Sequence, residues 1–329
     1  MTHRPRRAGL AAGASLSLLA LLLSGCSDDP DPQLRVVDDA RPDAAAGATQ
    51  VQVPTGQVSV GIGAPVEEVP AADGSGEDPL AAGDGEVWVP LTLTDEARAG
   101  VPGLALLLLA DVETVPQVTL SAGEESLDLG TASGIGSAPT LSTQPFYVAV
   151  PEDALDTLAV EVEFDDVVQT VTADGELDPG SAEALYDDAP ARSVDCRDGW
   201  LVEGAPEAQA AVDCAATSLS WPWSPDRGWA TDGTSWGFVV LDASVLQVRL
   251  GDGPRAETCG RDTEVDEVVL EVGDTTTAPA ADLPVSPGSA VGFGWDGESW
   301  PSVGARVTGT CQVGEQGFTL TRDLVLPPR

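Results

Sequence analysis

The side chains able to do chemistry in this sequence are few in kind. Five cysteines stand at Cys26, Cys196, Cys214, Cys259 and Cys311, one histidine stands at His3, and 54 carboxylates are spread along 329 residues. There is no lysine and no asparagine, so all 15 basic residues are arginine. The segment before Cys26 reads as one removed on export, and His3 and Met1 would leave with it. The processed chain then holds no His, Lys or Met. Ser-His-Asp and Cys-His catalysis are excluded, as are His-ligated zinc, a lysine Schiff base and a Walker-type phosphate loop. Carboxylate chemistry, oxygen-ligand cation binding, or binding without catalysis remain. The expectation is a protein that is not an enzyme and carries no cofactor and no metal.

Two carboxylate pairs, Glu161 with Glu163 and Asp296 with Glu298, have the types a glycosidase dyad requires. Pairs of this kind arise throughout so acidic a chain, and a site needs convergent geometry, so no catalytic residue is assigned. The stretch "DGSGEDPLAAGDGE" sets Asp73, Ser75, Glu77, Asp78 and Asp84 at oxygen-rich spacing. An EF-hand loop needs Gly at its sixth position, where this stretch has Asp78. A solvated acidic loop is the stronger reading.

Trp221, Trp223, Trp229, Trp236, Trp295 and Trp300 crowd into the last third of the chain. Flat indole faces beside acids could stack on sugar rings, which makes these six a candidate ligand surface. Trp is also highly buried on average, and in a domain with little Phe and Tyr a core role is the stronger reading.

Around Cys26 the sequence is more specific. Arg4, Arg6 and Arg7 precede a short apolar run that ends "LLLSGC". The run is too short to span a bilayer and has the layout of a signal peptide. Leu23-Ser24-Gly25-Cys26 resembles the lipobox of bacterial lipoproteins. The resemblance implies that residues 1–25 are a signal peptide and that Cys26 becomes a lipidated N-terminus carrying more than one acyl chain, palmitate-like in kind. Several chains give stable membrane anchoring at about 0.8 kcal/mol per buried methylene. The implied location is the outer face of the cytoplasmic membrane. Arg6-Arg7 leaves both general and twin-arginine export open. Residues 26–49 are acidic and aperiodic, and are expected to be a disordered tether of roughly 25–30 Å.

With Cys26 spent on lipid, four cysteines remain in an exported chain. They read as two disulfides. Of three connectivities, Cys196–Cys214 with Cys259–Cys311 needs the fewest crossings. The processed chain has 12 Arg against 54 acids, a formal charge of −42. Nucleic acid is a poor partner for such a surface.

The elements that must position these residues read as strands. Short alternating or β-branched runs lie at 51–53, 57–62, 86–93, 104–110, 117–120, 145–150, 157–164 and 167–172, with Asp165-Asp166 as a hairpin turn that leaves Leu158, Val160, Val162 and Phe164 on one face. "FYVAVPEDALDTLAVEVEF" resembles telokin-like, immunoglobulin-type domains of exported lipoproteins, which implies a domain that binds or presents. Further strands are expected at 216–221, 227–231, 234–241, 244–250, 265–272, 290–295, 300–308 and 317–325. Asp-Gly turns at 232–233 and 296–297 predict hairpins opposing Trp229 to Trp236 and Phe293 to Trp300. A helical turn is expected around "SAEALY".

The fold class expected is all-β, with two immunoglobulin-like β-sandwich domains. They run over 50–175 and 196–329, joined by a linker at 176–195. The function expected is an exported, membrane-anchored binding or presentation module. Its partners would be the membrane, through lipid, and another cell-envelope protein or glycan. The alternative is a cell-wall or carbohydrate-binding protein, or a carboxylate-dependent glycoside hydrolase.

Overall fold

A computed structural model describes residues 33–37, 42, 47–74, 77–109, 112–131, 142–187, 191–231, 234–250, 257–259, 264–273, 275–277, 288–295, 300–311 and 316–326. Cys26, Asp296 and Glu298 lie outside them, and so do the side chains of Cys259, Trp295 and Cys311. The fold is all-β. Residues 32–329 form one compact unit, built from two sandwiches of two antiparallel sheets each.

In the first sandwich, one sheet runs in the order Arg35–Val36, Ser142–Pro151, Glu86–Ala97, Gly56–Ile62, Thr49–Val53. The facing sheet runs Leu177–Asp178, Val167–Thr172, Ala159–Phe164, Gln117–Ala122, Glu125–Thr131. Period-two alternation decides what each buries. Val58, Val60, Leu91 and Val148 from one sheet meet Leu120, Val160, Val162 and Val171 from the other, all in one core. The 159–172 hairpin forms as expected, with Phe164 opposite Val167. Asp165 and Asp166 take φ of 50° and 64°. Short polar residues tolerate that left-handed region, and a tight hairpin turn requires it.

The run at 104–110 departs from expectation, because Gly103–Leu108 is a helix. Leu and Ala are strong helix formers without β-branching, and one turn suffices to bury Leu104, Ala105 and Leu109. The strand Glu125–Thr131 was not expected; Leu127 and Leu129 alternate within it and pack on the core.

In the second sandwich, Arg192–Asp195, Gln209–Trp221 and Ser235–Leu250 form one sheet, with Glu257–Cys259 and Gly288–Trp295 both pairing to the last of these. The other sheet runs Leu201–Val202, Gln316–Leu324, Val303–Cys311, Glu264–Val272, Thr275–Thr277. Val212, Val239 and Leu241 face Leu270, Val307 and Leu320 across its core. The expected strands 234–241 and 244–250 are one continuous strand. Gly288–Trp295 and Val303–Cys311 lie in different sheets, so the chain crosses the sandwich between them and the hairpin opposing Phe293 to Trp300 does not form.

Within the stretch expected as a linker, Leu177–Asp178 and Arg192–Asp195 are strands in the first and second sandwich. A 3-10 helix over Gly180–Leu185 sits where the helical turn was expected, and it buries Ala182 and Leu185 in the first core.

Candidate functional site

Glu161 and Glu163 share a strand face but not an environment. Glu161 is half-buried and accepts from Ser121 Oγ at 3.2 Å, whereas Glu163 is exposed. Among the described residues no group of three or more His, Cys, Asp or Glu is gathered as for a metal ion. Asp73 is committed to structure, since its Oδ2 accepts from Tyr147 Oη at 2.7 Å. A cleft lined by Val58, Leu93, Val118, Leu129 and Gln144 has about 30 Å³ of free space. That is room for about one water and far below what a small-molecule ligand needs.

The aromatic residues gather where the two sandwiches meet. Leu219, Trp221, Trp223 and Phe238 belong to the same buried cluster as the first sandwich's core, with Trp229 and Trp236 packed against it. Phe164, at the end of its hairpin, stands edge-on to Trp223 at 5.2 Å and to Trp229 at 6.4 Å between ring centroids. Their indole N–H groups are used as well. Trp223 Nε1 donates to Asp165 Oδ2 at 2.7 Å and Trp229 Nε1 to the Phe164 carbonyl at 3.1 Å. Trp236 Nε1 donates to the Gly228 carbonyl, and the Arg227 guanidinium lies 5.1 Å over the Trp236 ring. Trp300 is half-buried against the second core.

The ladder also corrects the expected Trp register. Trp236 pairs with Trp221, and Trp229 pairs with Trp223. The chain does reverse between Thr231 and Thr234, where Thr234 N–H donates to the Thr231 carbonyl at 2.8 Å. The long ladder between Gln209–Trp221 and Ser235–Leu250 then sets the register. Residues 222–231 leave it as a separate loop.

A second constellation lies at the outer edge of the first sandwich. Arg35–Val36 adds a strand there, pairing Arg35 with Ala149 and Val36 with Val148. Val37 N–H donates to the Tyr147 carbonyl at 2.9 Å. This corrects the expectation of a disordered tether throughout 26–49. Five residues show no periodicity, and only a partner far along the chain defines them as a strand. Ala149 also pairs with Trp88, so Arg35, Ala149 and Trp88 form one cross-strand row. Ala149 is small enough for the guanidinium to lie 5.2 Å over the Trp88 ring.

Glu86 shares that face two residues before Trp88, and Arg35 Nη1 reaches its Oε1 at 2.6 Å. The Glu86 side chain is 6% exposed. The bond from Arg35 holds its carboxyl below the usual range, against desolvation, which raises it. Leu34 N–H donates to Glu125 Oε2 at 2.8 Å, and Val37 packs with Val69, Trp88 and Tyr147.

The opposite edge of the same sheet is closed by side chains. Gln52 N–H donates to Tyr186 Oη at 2.9 Å, and its carbonyl accepts from Gln169 Nε2 at 2.7 Å. Tyr186 Oη donates to Gln169 Oε1 at 2.5 Å, and burial raises the Tyr186 phenol. The free backbone groups that would otherwise template another strand are satisfied at Gln52. Gln169→Leu removes donor and acceptor together from a residue that is 1% exposed. It should lower unfolding free energy by about 1–3 kcal/mol, read from the urea midpoint; an unchanged midpoint would contradict this account of the edge.

Of the cysteines, Cys196 and Cys214 form a disulfide. No protein-family model, curated protein or solved structure matches this chain.

Proposed function

We propose that the chain is an exported lipoprotein, held by lipid on Cys26 at the outer face of the cytoplasmic membrane, whose paired sandwiches bind or present a cell-envelope partner. The observation that carries this reading is Leu23-Ser24-Gly25-Cys26, set directly after a basic start and a short apolar run. The lipid is the means of membrane attachment. Among the described residues no helix is long and apolar enough to cross a bilayer.

Three further observations support a binding role. Two sandwiches joined through a shared apolar junction make a rigid scaffold that displays sheet faces and loops. The half-buried Glu161 and exposed Glu163 lack the enclosed setting that hydrolysis of a glycosidic bond needs. Trp221 and Trp223 are buried, which weighs against a flat sugar-stacking platform.

The test is fractionation of cells expressing the full chain. Wild type should partition with membranes and incorporate labelled palmitate. Cys26→Ala should be soluble and unlabelled. A Cys26→Ala protein that stayed wholly in the membrane fraction would sink the reading.

A further inference from the structure

We propose that Gln33–Val37 is a latch that limits how far the folded body can stand from its anchor, a proposal that rests on the reading of Cys26 as the lipidated residue. The edge it occupies is cut to its length. Tyr147 turns its carbonyl outward to Val37. The register between Glu86–Ala97 and Ser142–Pro151 runs without a shift, so Pro145, Ala149 and Pro151 turn outward too, since alternate residues of an antiparallel strand face the same edge. Proline has no N–H to give a neighbouring strand. Between Pro145 and Pro151, only Tyr147 and Ala149 offer both a donor and an acceptor. Arg35 and Val37 stand opposite those two residues.

The side chains match the notch as closely as the backbone does. Arg35 meets the buried carboxylate of Glu86 and the face of Trp88, and Leu34 packs on the first core. Glu86 Oε2 is buried without a hydrogen-bond partner. The carboxylate therefore relies on Arg35, and the notch favours a cationic strand in a chain that is otherwise overwhelmingly acidic.

The latch changes reach. With the strap docked, the roughly 7 residues from Cys26 to Gln33 can span at most about 25 Å. With it released, the roughly 23 residues from Cys26 to Thr49 can span at most about 80 Å. Opening breaks a two-residue ladder and leaves both cores intact, so it belongs to the low-cost local openings of a fold.

The full-length lipidated chain in phosphatidylcholine vesicles carrying a dansyl-headgroup lipid tests this. Val37→Pro removes the donor to Tyr147, and Glu86→Gln weakens the hold on Arg35. Loss of such a bond should speed trypsin cleavage after Arg35 by about fivefold or more. Both variants should also show weaker Trp-to-dansyl energy transfer than wild type. Equal cleavage rates in wild type and both variants would overturn the latch. Faster cleavage with unchanged transfer would overturn its control of distance. A wild-type chain that failed to float with vesicles would overturn the lipid reading instead. In that case cleavage after Arg35 in the soluble Cys26→Ala chain still decides whether the strap docks.

Discussion

Phe164→Ala should lower the unfolding free energy by about 3–5 kcal/mol, among the largest effects of any single substitution in this protein. Phe164 is 1% exposed and ends the strand Ala159–Phe164. Its ring serves two partners at once. Along its own strand it continues the face of Val160 and Val162 in the first core, and beyond that it meets Trp223 and Trp229 of the second sandwich edge-on. Removing it leaves a cavity shared by both sandwiches and forfeits aromatic contacts worth about 0.5–1.5 kcal/mol each beyond area burial. The backbone carbonyl of residue 164 and the Asp165 carboxylate would still accept from Trp229 and Trp223. Trp223→Phe is the contrasting variant. It keeps a ring against Phe164 but loses the donor to Asp165, which is exposed and can turn to water. Its cost should be nearer 1 kcal/mol. Denaturant titrations followed by Trp emission read both values. A loss below about 1 kcal/mol for Phe164→Ala would mean that the junction collapses around the gap, against the expected cavity cost.

The hairpin that carries Phe164 was legible in the sequence, because strict alternation on both strands and a two-residue polar turn agree on one register. Signals of that kind are local. Where the deciding interaction is long-range, the sequence misled. The Asp-Gly at 232–233 correctly suggested a reversal, but a reversal does not say which strand continues beyond it. Trp236 aligned with Trp221 because a 13-residue strand preceding the loop outweighs a local pairing with Trp229. The break expected near Asp242 misled in the opposite direction. Asp242 and Ser244 are exposed while Leu241, Ala243 and Val245 are buried, so alternation runs straight through a polar stretch that resembles a turn. The six-residue Leu/Ala helix at 103–108 shows that an apolar run without alternation carries no period to read.

The strap shows where legibility ends. Arg35 lies 51 positions before its partner Glu86, inside an acidic segment whose composition suggests disorder. Its role depends on a proline-bounded window at 145–151 and on one small residue, Ala149. None of these marks a site unless the strands are already side by side. The Trp cluster was legible as a cluster and as a probable core by the burial habit of Trp, but its place between the sandwiches required knowing that Phe164 reaches the same point from the other half of the chain.

The replacement of Cys196 and Cys214 together by Ala should lower stability by about 3 kcal/mol on a chain-entropy argument. The two residues are 18 apart in sequence with Cα atoms 5.4 Å apart. Cys214 lies in Gln209–Trp221, and Cys196 follows the edge strand Arg192–Asp195, whose last register pair is Asp195 with Ala215. The bridge thus continues the ladder covalently by one position. It ties the edge strand to the long strand that ends at Trp221 in the junction. Both cysteines are buried in the second core, and the Cys196 carbonyl accepts from the buried Trp200 Nε1 at 2.7 Å. Alanine at both positions avoids a free thiol and leaves little volume to fill, so the loss is chiefly that of the cross-link. Hydrogen exchange should therefore quicken first at Ser193 and Asp195, ahead of the Ser235–Leu250 strand, as local stability falls at the edge. Reductant should reproduce that pattern in wild type and change nothing there in the double variant. A wild-type edge strand equally protected with and without reductant would show that its ladder and packing hold it without the bridge.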